Sequence, residues 1–391
     1  MTGALAGIKV LELASYITGP FASMLLADLG AEVIKIEMPG QGDPFRGWGE
    51  VGYSPTFCSI NRNKRSVSLN IQDPRGKEIF LRLAKEGDVI IENMRPGVVD
   101  RLGVGYEAVR AVNPRVVYCS ISGFGQDGPY KDRPGYDTIG QALGGLLSVL
   151  TDLKAPRGMG SSLSDHLTGL FTCYAVLGGL LCRERTGEGQ KVETSLLQAT
   201  VAFGCENGAR YFATGEVPRQ ESRLHLAQVY AFVAGDGRPF VIHLSSPQKF
   251  WHGLADAIGR PELKEDPRFA DREARVKNYE ALKQILEEIF RTDSRQHWLE
   301  ILEKQDVPAA PIKTFDEVFQ DPQVRHLGLE VELRHPRMGP VRLVGSGVRM
   351  SRTPPRMDLP PPVLGEQTEE ILSGLGYGRE AISELRGEGV I

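Results

Sequence analysis

The first 37 residues alternate between strand and helix patterns, and this alternation restricts the fold more than any other feature of the sequence. Residues 8–13 predict a strand, residues 21–29 a helix that ends at Gly30, and residues 31–37 a second strand. A strand, a helix and a strand in so short a span form a βαβ unit, in which the strands are parallel and the crossover is right-handed. This segment therefore predicts a parallel sheet.

The alternation continues through residue 121. Further strands and helices are predicted at 66–69, 74–86, 88–92, 98–102, 106–112 and 116–121. This order is typical of a Rossmann-like, doubly wound α/β domain, whose ligands bind at the carboxyl ends of the strands. The first turn between strand and helix lacks the GxGxxG pattern, so we expect no NAD or FAD site of the usual Rossmann kind.

The second half of the chain has a different pattern. After a strand at 189–196 and a long helix to about residue 213, a hairpin is predicted at 228–234 and 239–244, with helices following it. Strand patterns near residues 329–343 then lead back to C-terminal helices. We predict a discontinuous large α/β domain, residues 1–215 with 331–391, and a linker with a smaller α+β domain, residues 216–330.

Charge and cysteine usage exclude several classes of protein. The net charge of −4 gives no electrostatic basis for binding nucleic acid. The five cysteines form no CxxC pair, which indicates reduced thiols in a cytoplasmic protein rather than a disulfide framework or a metal site. We see no pattern of an export signal, and the apolar runs carry polar breaks, so we expect neither export nor a membrane span.

An acidic residue stands at the end of a run of small residues. Gly158 to Ser164 precede Asp165, and an apolar helical run follows at 170–181. We predict that Asp165 lies where a loop becomes a helix, because the free N–H groups at a helix start favour a negative charge. The alternative is that Asp165 or Ser164 is only a helix N-cap.

Two further clusters have a functional and a structural interpretation. Asp137 follows a Pro134–Gly135 turn and opens a helical run to residue 149; with Asp165 it would form a pair of acids suited to general acid/base chemistry. The alternative is a favourable charge at a helix N-terminus. The basic run at 61–65 can bind phosphate, but its local pattern favours a solvated turn before a strand.

Several motifs, in order along nearly the whole chain, carry a family resemblance. They are 7–13 (GIKVLEL), 30–37 (GAEVIKIE), 40–43 (GQGD), 61–66 (NRNKRS), 92–97 (ENMRPG), 113–116 (NPRV), 122–125 (SGFG), 160–165 (GSSLSD), 185–190 (RTGEGQ) and 362–368 (PVLGEQT). On these motifs the chain resembles the class III CoA-transferases. That family includes formyl-CoA transferase and carnitine CoA-transferase, and the alpha-methylacyl-CoA racemases are related to it.

The resemblance implies that Asp165 is the catalytic nucleophile. It also implies contacts with CoA at Ile17, Thr18, Met38, Leu69, Asn93, Met94, Arg101, Arg133 and Tyr136. Met38 departs from the pattern, because a relative has an arginine there beside the adenine. The basic residue expected just before Tyr136 falls on Pro134, so Arg133 or Lys131 must supply that charge. A glycine-rich loop that covers the active site of formyl-CoA transferase has no counterpart, which argues against formyl or oxalate specificity.

The racemase branch differs at one position. Its pattern has a histidine immediately before the acid of the 134–137 segment, where this chain has Tyr136. Racemisation needs two groups that move a proton between the faces of the α-carbon, and a His–Asp pair would provide them. His166 is adjacent to Asp165, but neighbours along a helix do not face each other, so we interpret it as structural. Transfer is therefore favoured over racemisation.

The reaction that the resemblance implies moves CoA from an acyl-CoA, with succinyl-CoA as the default donor, to a small organic acid. It passes through an acyl anhydride and a CoA thioester at Asp165, so CoA is a substrate and not a bound cofactor, and no ATP or metal is needed. The family also implies an interlocked, ring-like homodimer. The alternatives are an acyl-CoA racemase or epimerase, and a non-catalytic acyl-CoA-binding protein. His225 and His243 in the second domain are interpreted as packed residues.

Overall fold

The structure is a computed structural model that describes residues 3–48 and 54–391. The chain divides into two units. The first contains Met1–Leu147, Gly158–Glu206 and Pro322–Ile391, and the second contains Ser148–Arg157 and Asn207–Asp321. Residues 148–157 and 207–215, expected in the large domain, therefore belong to the second unit, and residues 322–330, expected in the small domain, belong to the first.

A parallel sheet of six strands is the centre of the first unit. Its strands are β1 (Lys9–Leu13), β2 (Glu32–Glu37), β3 (Lys64–Ser68), β4 (Val89–Glu92), β5 (Val117–Ser122) and β6 (Gln190–Ser195). Their order is β3-β2-β1-β4-β5-β6, and all neighbouring strands are parallel. This is the doubly wound order, which reverses between β1 and β4. The predicted α/β class and parallel sheet are confirmed.

Helices connect these strands and follow them. They are α1 (Thr18–Asp28), α2 (Pro55–Ser59), α3 (Pro74–Glu86), α4 (Val98–Leu102), α5 (Tyr106–Val112), α6 (Asp137–Leu143), α7 (Leu146–Leu150), α8 (Leu163–Thr186), α9 (Leu196–Phe203) and α10 (Cys205–Thr214), with a short 3₁₀ helix at Pro44–Gly47. Successive side chains of a strand point to opposite faces of the sheet, and in this sheet both faces are packed against apolar residues. Leu11 and Ile90 pack in one apolar cluster, and Val10 and Val89 pack in another.

Helix α8 carries Asp165 and is the longest described helix. Its 24 residues, with a mean hydropathy of 1.2 in the most apolar stretch, make it the one helix in the described part of the chain that could cross a membrane by length and composition. This finding concerns length and composition alone and does not contradict the expectation that the chain has no membrane span. Core helices of soluble proteins meet the same criterion, and Cys173, Val176 and Leu180 of α8 pack in an apolar cluster with the sheet.

Two helices predicted as continuous are each interrupted at glycine. The run 138–149 divides into α6 and α7 at Gly144 and Gly145, and Gly145 has a φ of +79°, which a side chain would disfavour. The run to residue 213 divides into α9 and α10 at Gly204. Because apolar residues continue on both sides of each break, their spacing does not reveal where the chain turns.

The second unit contains an antiparallel sheet of three strands in the order β7-β8-β9. Its elements are α11 (Ser222–Ala227), β7 (Val229–Val233), β8 (Pro239–His243), α12 (Gln248–Ala257), a 3₁₀ helix (Pro261–Lys264), α13 (Arg272–Lys277), α14 (Tyr279–Phe290), α15 (Arg295–Lys304), β9 (Ala309–Pro311) and α16 (Phe315–Gln320). The predicted hairpin is confirmed as β7 and β8. Trp251 and Trp298 are buried in the apolar core of this unit, as expected.

The C-terminal part of the chain belongs to the first unit. Its elements are α17 (Pro322–Leu327), β10 (Glu330–His335), β11 (Gly339–Val344), α18 (Thr368–Gly374) and α19 (Arg379–Gly387). Side chains fasten this part to β3: Gln367 accepts the N–H of Ser66, and Thr368 accepts the N–H of Ser68 at 2.9 Å. The edge strand of the parallel sheet is therefore covered by residues from the far end of the sequence.

Candidate active site

A cleft of about 550 Å³ opens at the carboxyl ends of β1, β4 and β5. Its walls come from the segments after these strands, residues 16–18, 93–96, 131 and 133–138, and from residues 159, 160, 162 and 165 at the start of α8. The order of the strands reverses between β1 and β4, and doubly wound sheets bind their ligands at that point. The volume is typical of a site for a small molecule or cofactor.

Asp165 lies in the first turn of α8 and lines the cleft. The helix begins at Leu163, so Ser162 is the N-cap residue, and its side chain makes no capping hydrogen bond. Instead, the N–H of Asp165 donates to Oδ1 of Asp137 at 3.2 Å. The prediction that Asp165 lies where a loop becomes a helix is confirmed. The N-cap alternative is wrong, because the N-cap residue is Ser162 and both Ser164 and Asp165 lie within the first turn of α8.

A glycine and a glutamine on α6 set the position of Asp137. A Cβ atom at Gly140 would lie 2.3 Å from Oγ of Ser164, so α6 can approach α8 closely only without a side chain there. Gln141 donates through Nε2 to Oδ2 of Asp137 at 2.5 Å and to the carbonyl oxygen of Ser161 at 3.1 Å. These contacts hold the two acids next to each other.

The surroundings of Asp165 disfavour its charged form. Burial, and then the negative charge of Asp137, raise the pKa of Asp165 from 3.8 to about 7. At neutral pH both protonation states are therefore populated, and the anion is poorly solvated. Carboxylates with pKa values shifted toward neutrality are typical of groups that attack or transfer protons in enzymes.

Asp137→Asn is expected to shift the acid side of the pH–activity profile toward lower pH by about one unit. If Asp165 acts as a carboxylate, activity rises with pH through its pKa of about 7. The amide keeps an oxygen for the N–H of Asp165 but removes the charge that, after burial, raises this pKa. The measurement is kcat/KM against pH, with Asp132→Asn as the control, since Asp132 is exposed and does not line the cleft. An unshifted profile in an active Asp137→Asn variant would contradict this account.

Another wall is the β1–α1 segment, which we define as residues 14–20; its residues 16–18 line the cleft. Tyr16 has a φ of +65°, an uncommon conformation for a residue with a side chain. Asn93, after β4, donates through Nδ2 to the carbonyl oxygen of Ser15 at 2.7 Å and to Oγ1 of Thr18 at 3.1 Å, and it accepts the N–H of Ser15 at 3.0 Å. The side chain of Asn93 therefore joins two walls of the cleft.

Six of the predicted CoA contacts line the cleft together with Asp165. They are Ile17, Thr18, Asn93, Met94, Arg133 and Tyr136. The guanidinium carbon of Arg133 lies 3.8 Å from the centre of the Tyr130 ring, and Lys131 also lines the cleft. Both cations considered in place of Pro134 are therefore near the cleft.

Three predicted CoA contacts are not among the residues that line the cleft. Leu69 is 1% exposed and packs in the apolar cluster with Ile79. Met38 follows β2 directly and is half-buried, and Arg101 is exposed on α4. Contacts of these three residues with CoA stay predictions.

Sequence reasoning missed two aromatic residues that line the cleft, Phe45 and Trp48. The ring centres of Phe45 and Trp48 are 4.7 Å apart, those of Tyr16 and Phe45 5.3 Å apart, and those of Tyr16 and Tyr136 6.4 Å apart. Successive rings in the order Trp48, Phe45, Tyr16 and Tyr136 are therefore neighbours, and all four line the cleft. The sequence signal that could have found them is a tryptophan in a glycine-rich loop. In the structure Trp48 is 61% exposed.

The basic run at 61–65 is used inside the fold. Arg62 pairs with Asp28 at 2.5 Å and Lys64 pairs with Glu12 at 2.8 Å, and both pairs are buried. Arg65 forms ion pairs with two glutamates from other elements. None of these cations lines the cleft, so neither a phosphate site nor a solvated turn describes the run.

The histidines have contacts of ordinary structural kind. Nδ1 of His166 lies 2.7 Å from the carbonyl oxygen four residues earlier, and its ring packs edge-on against Phe21, with centres 4.8 Å apart. His225 packs against Tyr279 in the second unit, with ring centres 4.2 Å apart, and His243 is the last residue of β8. Within residues 3–48 and 54–391, no group of three or more His, Cys, Asp or Glu side chains is arranged to hold a metal ion.

Comparisons with known proteins match nearly the whole chain. The family model described as CoA-transferase family III matches residues 5–368. The chain is 37% identical to the human protein succinyl-CoA:glutarate CoA-transferase, over 99% of this chain and 90% of that protein. It is 39% identical to the acetyl-CoA:oxalate CoA-transferase of Acetobacter aceti, over 89% of this chain and 90% of that protein. The crystal structure of a CaiB/BaiF family protein from Brucella suis has 35% identity and a TM-score of 0.85, and covers 96% of this chain and 100% of that chain.

Proposed function

Because this chain belongs to CoA-transferase family III and is a CoA-transferase, we propose that it moves CoA from succinyl-CoA to a small dicarboxylic acid with Asp165 as the carrier. The position of Asp165 carries the proposal. Its carboxylate, with a pKa raised to about 7, lies in a cleft that is also lined by six residues expected to contact CoA.

The first half of the reaction transfers CoA to the protein. The Asp165 carboxylate attacks the thioester carbonyl carbon of the donor, and the C–S bond breaks to release CoA thiolate. The product is a mixed anhydride of Asp165 and the donor acid. The thiolate then attacks the Asp165 carbonyl carbon of this anhydride, which gives an aspartyl-CoA thioester and releases the donor as a carboxylate.

The second half reverses these steps with the acceptor. The acceptor carboxylate attacks the aspartyl-CoA thioester, which forms a second anhydride and releases the thiolate again. The thiolate attacks the acceptor carbonyl carbon and leaves Asp165 as a free carboxylate. Backbone N–H groups near Gly160, which lines the cleft, are suited to stabilise the oxyanions. The thioester energy is conserved, so the reaction needs neither ATP nor a metal.

The acceptor is proposed from the relatives and from the cleft. The name of the human relative gives succinyl-CoA and glutarate, and that of the Acetobacter relative gives acetyl-CoA and oxalate. Arg95, Lys131 and Arg133 line the cleft and supply cations for the phosphates of CoA and for a second carboxylate. We take glutarate as the acceptor and oxalate as its competitor.

Incubation of the protein with succinyl-CoA and one acid at a time tests this function. The expected result with glutarate is one glutaryl-CoA for each succinate released, without ATP, added metal or accumulation of free CoA. Chromatography with mass detection measures succinyl-CoA, glutaryl-CoA, succinate and free CoA. Preferred formation of oxalyl-CoA would contradict the choice of glutarate. CoA binding without a new thioester from any acid would contradict transfer, and solvent deuterium at the α-carbon would support a racemase.

The homodimer implied by the resemblance is also a proposal. One side of α8 carries exposed apolar residues, among them Leu170 at 51%, Tyr174 at 74% and Leu181 at 55% exposure. On α9, Val201 and Phe203 are also more than half exposed. Exposed apolar residues at this density are typical of surfaces that pack against another chain. A second copy of this chain would remove them from water.

A further inference from the structure

A set of buried charged side chains lies among the first three strands of the sheet. We call it the Glu12 network: Glu12, Lys35, Glu37, Asp43, Arg46 and Lys64. Nζ of Lys35 lies 2.5 Å from Glu12 and 2.9 Å from Asp43, and Nζ of Lys64 lies 2.8 Å from Glu12. Arg46 pairs with Glu37 at 2.7 Å. The side chains of Glu12, Lys35, Asp43 and Lys64 are fully out of contact with solvent.

The Glu12 network makes hydrogen bonds to the backbone of the β1–α1 segment at three places. Nζ of Lys35 donates to the carbonyl oxygen of residue 14 at 2.8 Å, and Nζ of Lys64 donates to that of residue 20 at 2.8 Å. Between them, Oδ1 of Asp43 accepts the N–H of Tyr16 at 3.3 Å. The two ends and the middle of the segment are therefore held by buried charges from β2, β3 and the loop after β2.

The bond between Oδ1 of Asp43 and the N–H of Tyr16 holds a residue whose backbone conformation is disfavoured. Tyr16 has a φ of +65°, where a side chain is disfavoured, and such a residue keeps this conformation only when its surroundings hold it. Tyr16 and the next two residues, Ile17 and Thr18, line the cleft. Release of the Tyr16 N–H would let this turn relax and would change the shape of that wall.

Stability alone does not account for these charges. Burying ions costs desolvation energy, and buried ion pairs can often be replaced by apolar residues without loss of stability. What apolar residues cannot replace is the set of directed bonds from Lys35, Lys64 and Asp43 to backbone atoms of the cleft wall. A binding site needs this kind of support, since small displacements of its wall weaken binding strongly.

We propose that Asp43, held by its ion pair with Lys35, is a positioning residue that keeps the β1–α1 segment in the shape that binds a CoA thioester. The inference rests on the proposed function. Asp43 does not line the cleft; its Oδ1 accepts the N–H of Tyr16 and also that of Phe45, as the N-cap of the 3₁₀ helix at Pro44–Gly47, and it acts through these backbone atoms. Its loss therefore affects binding of the thioester more than the reaction at Asp165, which is carried by a different element.

The test compares Asp43→Ala with Asp28→Ala. Asp28 is the matched control, because it is also a buried aspartate of the first unit with a basic partner, Arg62 at 2.5 Å, but it does not line the cleft or contact the β1–α1 segment. Asp43→Ala is expected to raise both the Kd of CoA and the KM of succinyl-CoA about tenfold or more, with a smaller change in kcat. Asp28→Ala is expected to change Kd and KM less than about twofold.

Hydrogen–deuterium exchange of the full-length variants gives a readout that does not depend on activity. Asp43→Ala is expected to increase deuterium uptake in the peptide that covers residues 14–20, whereas Asp28→Ala leaves that peptide unchanged. If the alanine variants do not fold, Asp43→Asn and Asp28→Asn are compared in the same way. Equal uptake and equal Kd values in the two variants would overturn the inference. Failure of the unmodified protein to bind CoA would instead overturn the proposed function, and the exchange data would still test the role of Asp43.

Discussion

Asp165→Asn is expected to lower kcat for CoA transfer by roughly 10⁴-fold or more, because loss of a covalent nucleophile removes the whole reaction path. An amide cannot form the anhydride with the donor acid. The fold should be unaffected or stabilised, since a neutral side chain removes both the cost of burying a charge and the repulsion from Asp137, which together raise the pKa of Asp165 to about 7. Steady-state turnover, isothermal titration with CoA and the melting temperature are measured together.

Two variants control this result. Asp165→Ala should be equally inactive and excludes activity from slow deamidation of the asparagine. His166→Asn alters the adjacent residue, whose ring nitrogen lies 2.7 Å from a backbone carbonyl oxygen and not in the cleft, so it should keep most of the turnover. Turnover in Asp165→Asn or Asp165→Ala near that of the unmodified protein would exclude Asp165 as the nucleophile.

Glu12→Gln is expected to destabilise the first unit by about 3–5 kcal/mol, the usual effect of removing one partner from buried charges. Glu12 is shared by Lys35 and Lys64, at 2.5 and 2.8 Å, and all three side chains are fully buried. Without the carboxylate, two ammonium groups would lie close together with one charge fewer to balance them. Urea unfolding followed by circular dichroism measures the loss. Glu86→Gln is the control, because Glu86 forms a salt bridge with Lys9 but is 63% exposed, and such pairs contribute little.

The pH dependence of stability gives the same prediction a second readout. Burial alone would raise the pKa of Glu12, but Lys35 and Lys64 outweigh it and lower the pKa from 4.5 to about 2. Because the folded state holds the proton less tightly than the unfolded chain, this contribution is present above pH 4.5 and is lost as the pH falls toward about 2. Stability should therefore fall less steeply over that range in Glu12→Gln. An equal loss in both proteins, or a cost no larger than that of Glu86→Gln, would contradict the role given to Glu12.

The parts of the fold that were predictable from sequence are those set by local patterns. Residues 8–37 alternate between two periods, which fixes a parallel βαβ unit and, with the repeats that follow, the doubly wound sheet. The position of Asp165 at a helix start was also predictable, because a run of small residues before a helical pattern marks a helix start independently of the rest of the chain. The family motifs added Ile17, Thr18, Asn93 and their neighbours, which the structure brings to one cleft.

The parts that were not predictable depend on partners far apart in the chain. Lys64 belongs to a basic run whose local pattern favours a solvated turn, but its carboxylate partner, Glu12, comes from another strand. Asp137 could be paired with Asp165 only as a hypothesis, because their contact depends on how closely Gly140 lets α6 approach α8. Such contacts are decided by packing between elements, and periodicity carries no information about them.

The central claim is that Asp165 carries CoA through anhydrides, and oxygen isotopes test it most directly. When the acceptor carboxylate attacks the aspartyl-CoA thioester, one of its oxygens bridges the two acyl groups and stays on Asp165 when the thiolate takes the acceptor. A single turnover, with less succinyl-CoA than protein and excess ¹⁸O-labelled glutarate, followed by digestion and mass spectrometry, should therefore show one ¹⁸O in the peptide that contains Asp165. Formation of glutaryl-CoA with no ¹⁸O in that peptide would contradict the claim.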